Sequence, residues 1–233
     1  MQDTIEIRHL TLGEQATNCY LIWSKYSHQG YVIDPADAGD AISEVVLTEH
    51  IDLQGIILTH GHFDHLLALL ELQLNFDVPV LLHPEDSFLL DRAEQTAKHF
   101  LGRQIDPIPN EFQPIINGQT LPLGDEQLQL VHTPGHTPGS VCVQLTVKNS
   151  TISIDHTNYS ITTLLFTGDT LFANGIEPLT HQYSSVMRLN SSLHMLSSLE
   201  VETLILPGHG ESEFLKNALD KVSAGADTLQ SEE

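Results

Sequence analysis

Residues 55–65, with the sequence GIILTHGHFDH, join an apolar run to four side chains that can bind metal ions. The run GIIL is short, uncharged and rich in β-branched residues, which predicts a buried strand. Residues 66–76 repeat apolar side chains at helical spacing, which predicts a helix. The segment THGHFDH therefore forms a loop between a strand and a helix, where α/β proteins usually build their functional sites.

The four metal-competent side chains are His60, His62, Asp64 and His65. In a loop, His60 and His62 can point to one side and bind one ion, while Asp64 and His65, in the first turn of the helix, can bind a second. Single histidines often pack in a core, and this chain has 14 of them. Three histidines and an aspartate between positions 60 and 65 favour a metal site over that alternative.

The length suits one large or two small domains, and the absence of a clear linker favours one domain over residues 1–233. The chain has 233 residues, of which 40% are hydrophobic, and this is enough for a sizeable core. Its two cysteines, Cys19 and Cys142, lie in apolar strand-like segments, so we expect buried free thiols rather than a disulfide or a cysteine metal site. The metal ligands must then be histidine and aspartate.

The charge of the chain argues against several classes of partner. Nine Lys and Arg against 31 Asp and Glu give a formal net charge of −22, which repels nucleic acid and anionic membranes. The sequence has no apolar stretch long enough to cross a bilayer and no export signal at its start, so we expect a cytoplasmic protein. We therefore expect a small-molecule substrate, and no pattern predicts an oligomeric state.

Strand and helix patterns alternate in two rounds. The first round has predicted strands at 5–10, 18–24, 30–34, 55–58 and 78–84, with helices at 38–50, 66–76 and 85–100. The second has two short strands within 121–130, strands at 141–147, 161–167 and 203–207, a helix at 184–199 and a short C-terminal helix after 211. Residues 101–115 are predicted to be loop and 148–160 a surface hairpin. Two such halves predict an α/β four-layer αββα sandwich.

Three further candidate ligands follow apolar strands in the second half. His136 lies in TPGHTPGS, Asp169 ends the strand in LLFTGDTLF, and His209 ends the strand in LILPGHGE. Each of these segments alone is more typical of a simple turn. Together with THGHFDH, they repeat the same placement at strand ends and raise the number of candidate ligands to seven.

The motifs THGHFDH, TPGHTPGS, FTGDTLF and LPGHG, in this order, resemble the metallo-β-lactamase superfamily, and most closely its glyoxalase II-like branch. The resemblance runs from about Asn18 to Gly210 and implies the αββα fold of that superfamily. Carried over by motif, it implies a first ion held by His60, His62 and His136, a second held by Asp64, His65 and His209, and Asp169 bridging the two.

Histidine and carboxylate ligands leave a bound ion strongly Lewis acidic. They suit zinc, iron or manganese, so the expected cofactors are two divalent ions, most simply Zn²⁺. Two ions about 3.5–4 Å apart can hold a hydroxide between them and polarise the carbonyl that it attacks. Asp169 can span both ions, and Asp64 can orient the hydroxide by accepting its hydrogen bond. These two aspartates are the expected catalytic residues.

Residue identities separate the branches of the superfamily that the chain resembles. Oxygen-reducing di-iron members usually carry glutamate where this chain has His62, and most lactam-hydrolysing members carry cysteine where it has Asp169. The net charge argues against the members that cleave nucleic acids. The activity that these exclusions leave is hydrolysis of a small ester or thioester. The resemblance to the glyoxalase II-like branch implies S-lactoylglutathione-type substrates.

The chain departs from the glyoxalase II-like pattern after Asp169. Such sequences continue past GDTLF with a glycine-rich turn bearing an arginine and then an aspartate, whereas residues 173–180 read ANGIEPLT. Glyoxalase II enzymes also have a C-terminal helical domain that contacts glutathione, and 24 residues follow His209 here. We therefore expect no separate glutathione-binding helical domain, and the glutathione site does not transfer to this chain.

Other cations and histidines are weaker candidates. Arg92, Lys98, Arg103 and Arg188 could meet an anionic substrate, although such charges are usually solvated. His83 and His132 could orient a ligand or simply pack. The remaining histidines lack partner spacing and are not expected in the site: His9, His28, His50, His99, His156, His181 and His194.

Three hypotheses follow. The leading one is a dimetal hydrolase that attacks a thioester or ester carbonyl with a metal-bridging hydroxide. The second is a persulfide dioxygenase, whose relatives share the HxHxDH segment but use one iron, here held by His60, His136 and Asp169. The third is a metal-binding protein whose activity is lost or altered, which the unusual residues 173–180 suggest.

Overall fold

The computed structural model describes residues 3–148 and 150–230, with side chains up to residue 224. Within these residues, strands form two mixed sheets, and α-helices lie outside them. The strands are β1 (Thr4–Leu12), β2 (Thr17–Ser24), β3 (Gln29–Ile33), β4 (Asp52–Ile57), β5 (Val80–Leu82), β6 (Gln113–Pro114), β7 (Thr120–Leu123), β8 (Glu126–His132), β9 (Val141–Thr146), β10 (Thr151–Ile154), β11 (Thr157–Tyr159), β12 (Thr163–Gly168), β13 (Leu204–Pro207) and β14 (Glu213–Phe214). The helices are α1 (Gly39–Thr48), α2 (Leu69–Phe76), α3 (Ser87–Leu101), α4 (Val186–Leu196) and α5 (Leu215–Gln230).

Three apolar layers hold the fold together. The first sheet has the order β11-β10-β1-β2-β3-β4-β5-β6, and the second has the order β14-β13-β12-β9-β8-β7. Side chains such as Ile22 and Phe166 fill the space between the sheets. A second layer packs the first sheet against α1, α2 and α3, and a third packs the second sheet against α4 and α5. The predicted four-layer αββα sandwich is confirmed.

Strand β2 shows why the central strands are apolar throughout. Tyr20 and Ile22 face the other sheet, while Leu21 and Trp23 face the helices. Successive side chains of a strand point to opposite faces, and here both faces are covered. The same reasoning explains the uninterrupted run GIIL in β4. Cys19 and Cys142 are buried and free, as predicted.

The metal-competent loop differs locally from its prediction. Asp64 and His65 lie in a separate 3-10 turn, Phe63–His65, and not in the first turn of α2, which begins only at Leu69. The backbone N–H groups of Leu67 and Ala68 donate to the carbonyls of Ala36 and Pro35. Because these N–H groups bond to another segment, they cannot form the i to i−4 hydrogen bonds of an α-helix. The turn is instead closed by i to i−3 hydrogen bonds, such as that from Leu66 N–H to the carbonyl of Phe63.

Two other predictions on the second half need correction. Residues 151–159 do form a hairpin, but β10 pairs in parallel with β1 and extends the first sheet, and Ile152 is fully buried. Residues 213–214 form β14, so the C-terminal helix begins at Leu215 rather than near residue 212, and with 16 residues it is not the short helix that was predicted. Residues 1, 2, 149 and 231–233 of the predicted single domain lie outside the described residues. In the described part of the chain, no helix is both long and apolar enough to span a bilayer.

The topology collects the predicted site at one edge of the sandwich. Strands β12 and β13 run parallel, so the residues that follow them, Asp169 and His209, emerge side by side. The backbone N–H of Val141, at the start of β9, donates to the carbonyl of Thr59 at 2.8 Å. This bond joins the loop after β4 in the first sheet to the second sheet, so both sheets contribute to one site.

Candidate metal centre

The seven candidate ligands form two neighbouring groups. Within each group the potential ligand atoms all lie within 4.8 Å of one another. The first group is His60, His62, His136 and Asp169, and the second is Asp64, His65 and His209. This is the division that the family resemblance implies.

The spacing of donor atoms in the first group suits a tetrahedral ion. Bonds of about 2.0–2.1 Å in a tetrahedral zinc site place ligand atoms about 3.3 Å apart. His136 Nε2 lies 3.0 Å from His62 Nδ1 and 3.5 Å from Asp169 Oδ2. His60 Nε2 lies 3.8 Å from the same carboxylate oxygen. These atoms therefore surround a space of the right size for one metal ion.

Asp169 also reaches the second group. Its Oδ1 lies 3.5 Å from His65 Nε2, and its Oδ2 lies 3.8 Å from His209 Nε2. Asp64 Oδ2 is 3.6 Å from His65 Nε2 and 3.3 Å from His209 Nε2. Asp169 is thus the carboxylate that touches both groups, which is the position a bridging ligand requires.

Three buried atoms in these groups have no hydrogen-bond partner among the described residues. They are His60 Nε2, His65 Nε2 and Asp169 Oδ1. A buried polar atom without a partner costs roughly 1–3 kcal/mol. One cation in each group would satisfy all three atoms, so the residues present fit a dimetal centre. The donors are imidazole and carboxylate, which suits zinc, iron or manganese.

Asp34, at the end of β3, orients two of the candidate ligands. Its Oδ2 accepts hydrogen bonds from Thr59 Oγ1 at 2.7 Å and from His65 Nδ1 at 3.0 Å. Thr59 Oγ1 also lies 3.1 Å from His60 Nδ1. Since each imidazole uses Nδ1–H in these bonds, the Nε2 atoms of His60 and His65 point into the site. Sequence analysis missed Asp34, whose only signal is a carboxylate directly after the apolar strand GYVI.

Asp86, just before α3, joins the two loops that carry the first group. Its carboxylate is fully buried and accepts hydrogen bonds from the backbone N–H groups of Gly61 at 3.0 Å and Gly139 at 2.7 Å, and from Thr137 Oγ1 at 2.7 Å. Burial raises the pKa of Asp86 despite these donors. Because Gly61 lies between His60 and His62, and Thr137 follows His136, the carboxylate fixes the distance between the two loops.

Replacing Asp86 with alanine is expected to lower the free energy of unfolding by about 2–3 kcal/mol, because three buried donors lose their acceptor. Metal affinity should fall roughly tenfold or more, which is the usual loss when a residue that orients a metal ligand is removed. Urea unfolding and metal titration measure the two effects. Asp91→Ala is the matched control, since Asp91 is exposed on the same helix and should change stability by less than about 0.5 kcal/mol. Equal stabilities of the two variants would contradict the proposed role of Asp86.

Tyr183 and His181 form an aromatic wall beside the first group. Their rings stack at 5.0 Å, and Tyr183 Oη lies 2.7 Å from His62 Nε2. Since His62 Nδ1 faces His136, the Nε2–H group donates to Tyr183 and the Nδ1 lone pair is directed into the site. Burial raises the pKa of Tyr183 to about 12, so its hydroxyl stays neutral. The expectation that His181 lies outside the site is wrong, because it lines the cleft with its ring 5.1 Å from that of His62. Tyr183 was not predicted, since it has neither strand-end nor ligand spacing.

The histidines of the first group are held in the neutral form that binds metals. Burial lowers the pKa of His60 well below its usual range, and burial together with neighbouring His136 lowers the pKa of His62 to about 3. The pKa of His136 is also lowered by burial. Neutral imidazole presents a free lone pair, so binding of an ion here requires no deprotonation.

The second group has the opposite electrostatics. Burial alone would lower the pKa of His65, but the charges of Asp169, Asp64 and Asp34 raise it well above its usual range. Burial would raise the pKa of Asp64, yet the charge of His65 and the contact with His209 lower it to about 2. Attraction to His65 likewise outweighs burial and keeps the pKa of Asp169 well below its usual range. The negative charge of this group is therefore arranged to meet a cation.

Two glycines allow the backbone to approach these side chains. A Cβ on Gly208 would overlap Asp169 Oδ1 and His65 Cε1. Gly168 adopts a left-handed φ of +48°, and a Cβ there would overlap Thr59 Oγ1. The loop bearing His209 is held from below by β2, where Asn18 Nδ2 donates to the carbonyls of Pro207 and Gly210. Larger side chains at the two glycines would displace candidate ligands.

A cleft of about 890 Å³ opens over both groups. His62, Asp64, His136, Asp169 and His209 line its floor. Residues of α3 and of the loop 177–183 line most of the rest, together with Gln15, Gly61 and Phe63. The volume suits a small-molecule ligand. His83 and His132 lie elsewhere and stack on each other at 4.0 Å, with His132 Nε2 donating to the Pro138 carbonyl, so packing and a loop bond explain them.

A sequence profile of the metallo-β-lactamase superfamily matches residues 12–162, which is more than half of the chain. The chain belongs to the metallo-β-lactamase superfamily. Members of this superfamily are mostly metal-dependent hydrolases. The match includes THGHFDH and TPGHTPGS, and therefore the loops that carry His60 to His65 and His136.

Three relatives illustrate the likeness within the metallo-β-lactamase superfamily. The chain is 31% identical to the probable metallo-hydrolase YqgX of Bacillus subtilis, over 87% of this chain and 89% of the relative. It is 29% identical to the hydroxyacylglutathione hydrolase GloC of Haemophilus influenzae, over 88% and 90% of the two chains. The crystal structure of TTHA1623 in a di-iron-bound form superposes with a TM-score of 0.75 at 30% identity, covering 91% of this chain and 97% of that protein.

Proposed function

We propose that this protein is a dimetal hydrolase that cleaves a thioester or ester, with hydroxyacylglutathione-type thioesters as the first substrate class to test. The observation that carries the proposal is the set of seven donors in two groups, with three buried atoms that lack partners among the described residues. When bound, two divalent ions supply Lewis acidity and make hydroxide available near neutral pH. The metallo-hydrolase and hydroxyacylglutathione hydrolase names of two relatives support the substrate class.

The residues of the chain divide the remaining tasks. The first ion would be held by His60, His62 and His136. The second ion would be held by Asp64, His65 and His209, and Asp169 would contact both ions. Asp64 Oδ2 also accepts a hydrogen bond from Thr17 Oγ1 at 3.0 Å, which fixes its carboxylate at the edge of the cleft. From this position Asp64 can orient a water molecule toward a substrate carbonyl. Asp34, Asp86 and Tyr183 keep the histidines in place.

The persulfide dioxygenase alternative needs three of these residues, His60, His136 and Asp169. His62 Nδ1 lies 3.0 Å from His136 Nε2, within the same donor shell, and the second group is complete. These additional donors permit a dinuclear centre, but the dioxygenase relatives share the HxHxDH segment, so the metal content has to separate the two hypotheses. The buried free thiols Cys19 and Cys142 accord with the proposed location in the cytoplasm, where thiols stay reduced.

Elemental analysis and two assays on one purified sample test the proposal. We expect two metal ions per chain and hydrolysis of S-lactoylglutathione that is lost after chelation and restored by Zn²⁺, Fe²⁺ or Mn²⁺. Asp64→Ala should lower turnover at least about a hundredfold, because the variant lacks a carboxylate that would hold the second ion and orient the attacking water molecule. Asp40→Ala, which removes an exposed carboxylate from the start of α1, should leave turnover unchanged.

Other results would identify the alternatives. One iron per chain with oxygen uptake on glutathione persulfide would select the dioxygenase. Two bound ions without turnover across a panel of thioesters, esters and phosphodiesters would select a metal-binding protein with lost or altered activity.

A further inference from the structure

Helix α3 lines one side of the cleft above the candidate metal centre with polar residues and with the apolar Leu89, Ala93 and Phe100. Arg92, Gln95, Thr96 and His99 all line the cleft, at positions i, i+3, i+4 and i+7 of the helix. This spacing places them on a single face. At a rise of 1.5 Å per residue, the row from Arg92 to His99 is about 10 Å long. The hydroxyl of Thr96 donates to the backbone carbonyl of Arg92 at 2.9 Å, so the donors of this row that a ligand can use are Arg92, Gln95 and His99.

Arg92 is the arginine that has no carboxylate partner among the described residues. All four arginines lie in the described part of the chain. Arg8, Arg103 and Arg188 each contact at least one carboxylate. Arg92 has no such contact there, although the chain carries 31 acidic residues. It is also the one Lys or Arg among the described residues that line the cleft.

Aromatic packing holds the Arg92 side chain at this wall. Its guanidinium lies 5.4 Å from the centroid of the Phe88 ring, a cation–π contact. Phe88 packs edge-on against Tyr183 at 5.4 Å, and Tyr183 contacts His62. A continuous row of contacts thus connects the guanidinium to the candidate metal centre. Stacking covers one face of the guanidinium and leaves its N–H groups free to form a bidentate bond with a carboxylate.

We propose that Arg92 is the anion-binding residue of the cleft and holds a carboxylate on the substrate, with His99 as a hydrogen-bonding partner along α3. This inference rests on the proposed hydrolase function and specifies its substrate. The thioester or ester carries a carboxylate at some distance from the reacting carbonyl. In an otherwise acidic protein, one unpaired guanidinium in the cleft selects an anion that the rest of the surface repels.

A series of paired substrates tests this inference. Acetyl thioesters of ω-mercaptoalkanoates of increasing chain length are each compared with the neutral carboxamide of the same length. We expect the wild type to prefer the carboxylate by about tenfold in kcat/KM at the best length, as expected for a charge-assisted hydrogen bond. Arg92→Gln should bring this ratio to about one, and Arg92→Lys, which keeps the charge without the planar fork, should retain part of it.

Lys98→Gln is the matched control. It removes one positive charge from the same helix, but Lys98 is exposed and does not line the cleft. Its carboxylate-to-carboxamide ratio should remain that of the wild type. A ratio that falls equally in Arg92→Gln and Lys98→Gln would overturn the assignment, because the effect would then come from overall charge. An unchanged ratio in Arg92→Gln would also overturn it.

Binding measurements separate this inference from the proposed reaction. The ligands are ketone thioethers, in which a methylene separates the carbonyl from the sulfur, so that they cannot be hydrolysed. Each is made as a carboxylate and as the neutral carboxamide, at the same chain lengths as the thioester substrates. Calorimetry with the metal-loaded protein should give about tenfold tighter binding of the carboxylate, abolished in Arg92→Gln. If neither neutral nor anionic thioesters are cleaved while this preference persists, the proposed hydrolysis fails and the anion site stands. If thioesters are cleaved without any such preference, the hydrolysis stands and the anion site fails.

Discussion

Asp169→Asn is expected to lower turnover by about a thousandfold or more, equivalent to about 4 kcal/mol of transition-state stabilisation. The substitution keeps the size of the side chain but removes its charge and replaces one carboxylate oxygen by an amide nitrogen. Oδ1 lies 3.5 Å from His65 Nε2, and Oδ2 lies 3.5 Å from His136 Nε2. The amide of asparagine has a single oxygen that can bind a metal ion, so it can complete one of the two ligand groups but not both.

The metal content should change together with the rate. We expect elemental analysis of Asp169→Asn to give fewer than two ions per chain under conditions where the wild type holds two. Asp125→Asn, which changes an exposed carboxylate in the turn between β7 and β8, is the control for the loss of one negative charge. If Asp169→Asn retained both ions and a rate within tenfold of the wild type, Asp169 would not be the shared ligand.

Asp34→Ala is expected to lower the free energy of unfolding by about 3–5 kcal/mol, the usual cost of breaking a buried charged network. Asp34 is 2% exposed and accepts hydrogen bonds from the backbone N–H and the hydroxyl of Thr59 and from His65 Nδ1. Alanine would leave all three donors buried without an acceptor. Because Asp34 also fixes the ring orientations of His60 and His65, metal affinity should fall about 10–100-fold.

Two further variants make this prediction decisive. Asp34→Asn retains one acceptor and tolerates the left-handed backbone of residue 34, whose φ is 51°, so it should recover part of the stability. Asp37→Ala is the control, because Asp37 is partly exposed and pairs with Arg103 at 3.3 Å. Such a surface pair contributes about 0–1 kcal/mol. Urea unfolding and metal titration measure both quantities, and a loss below about 1 kcal/mol in Asp34→Ala would contradict the role given to Asp34.

The regular elements and the candidate ligands were predictable because their signals are local. Uninterrupted apolar runs such as GIIL predict strands covered on both faces, and β4 is covered in this way. The candidate ligands His60, His136, Asp169 and His209 each follow an apolar strand or stand in a loop stiffened by glycine and proline. A strand end fixes where such a side chain emerges, so strand prediction also located them.

The residues that orient the ligands were not predictable in the same way. Asp34, Asp86 and Tyr183 act on partners that are 25 to 121 positions away in the chain. Their own neighbours resemble ordinary strand ends and helix starts. The 3-10 turn at Phe63–His65 was missed for the same reason, because bonds from residues 67 and 68 to the segment at 35–36 decide its form.

By itself, the sequence determined the layer order of the fold, the seven donor side chains and the excess of negative charge. These follow from periodicity, residue chemistry and composition, which do not depend on distant contacts. Only the tertiary structure decided that Asp169 reaches both donor groups, that Asp34 and Asp86 hold the ligand loops, and that Arg92 lines the cleft without a carboxylate partner among the described residues. Each of these depends on distances of a few ångströms between segments far apart in the chain, and hydrogen bonds and charge pairing act only at such distances.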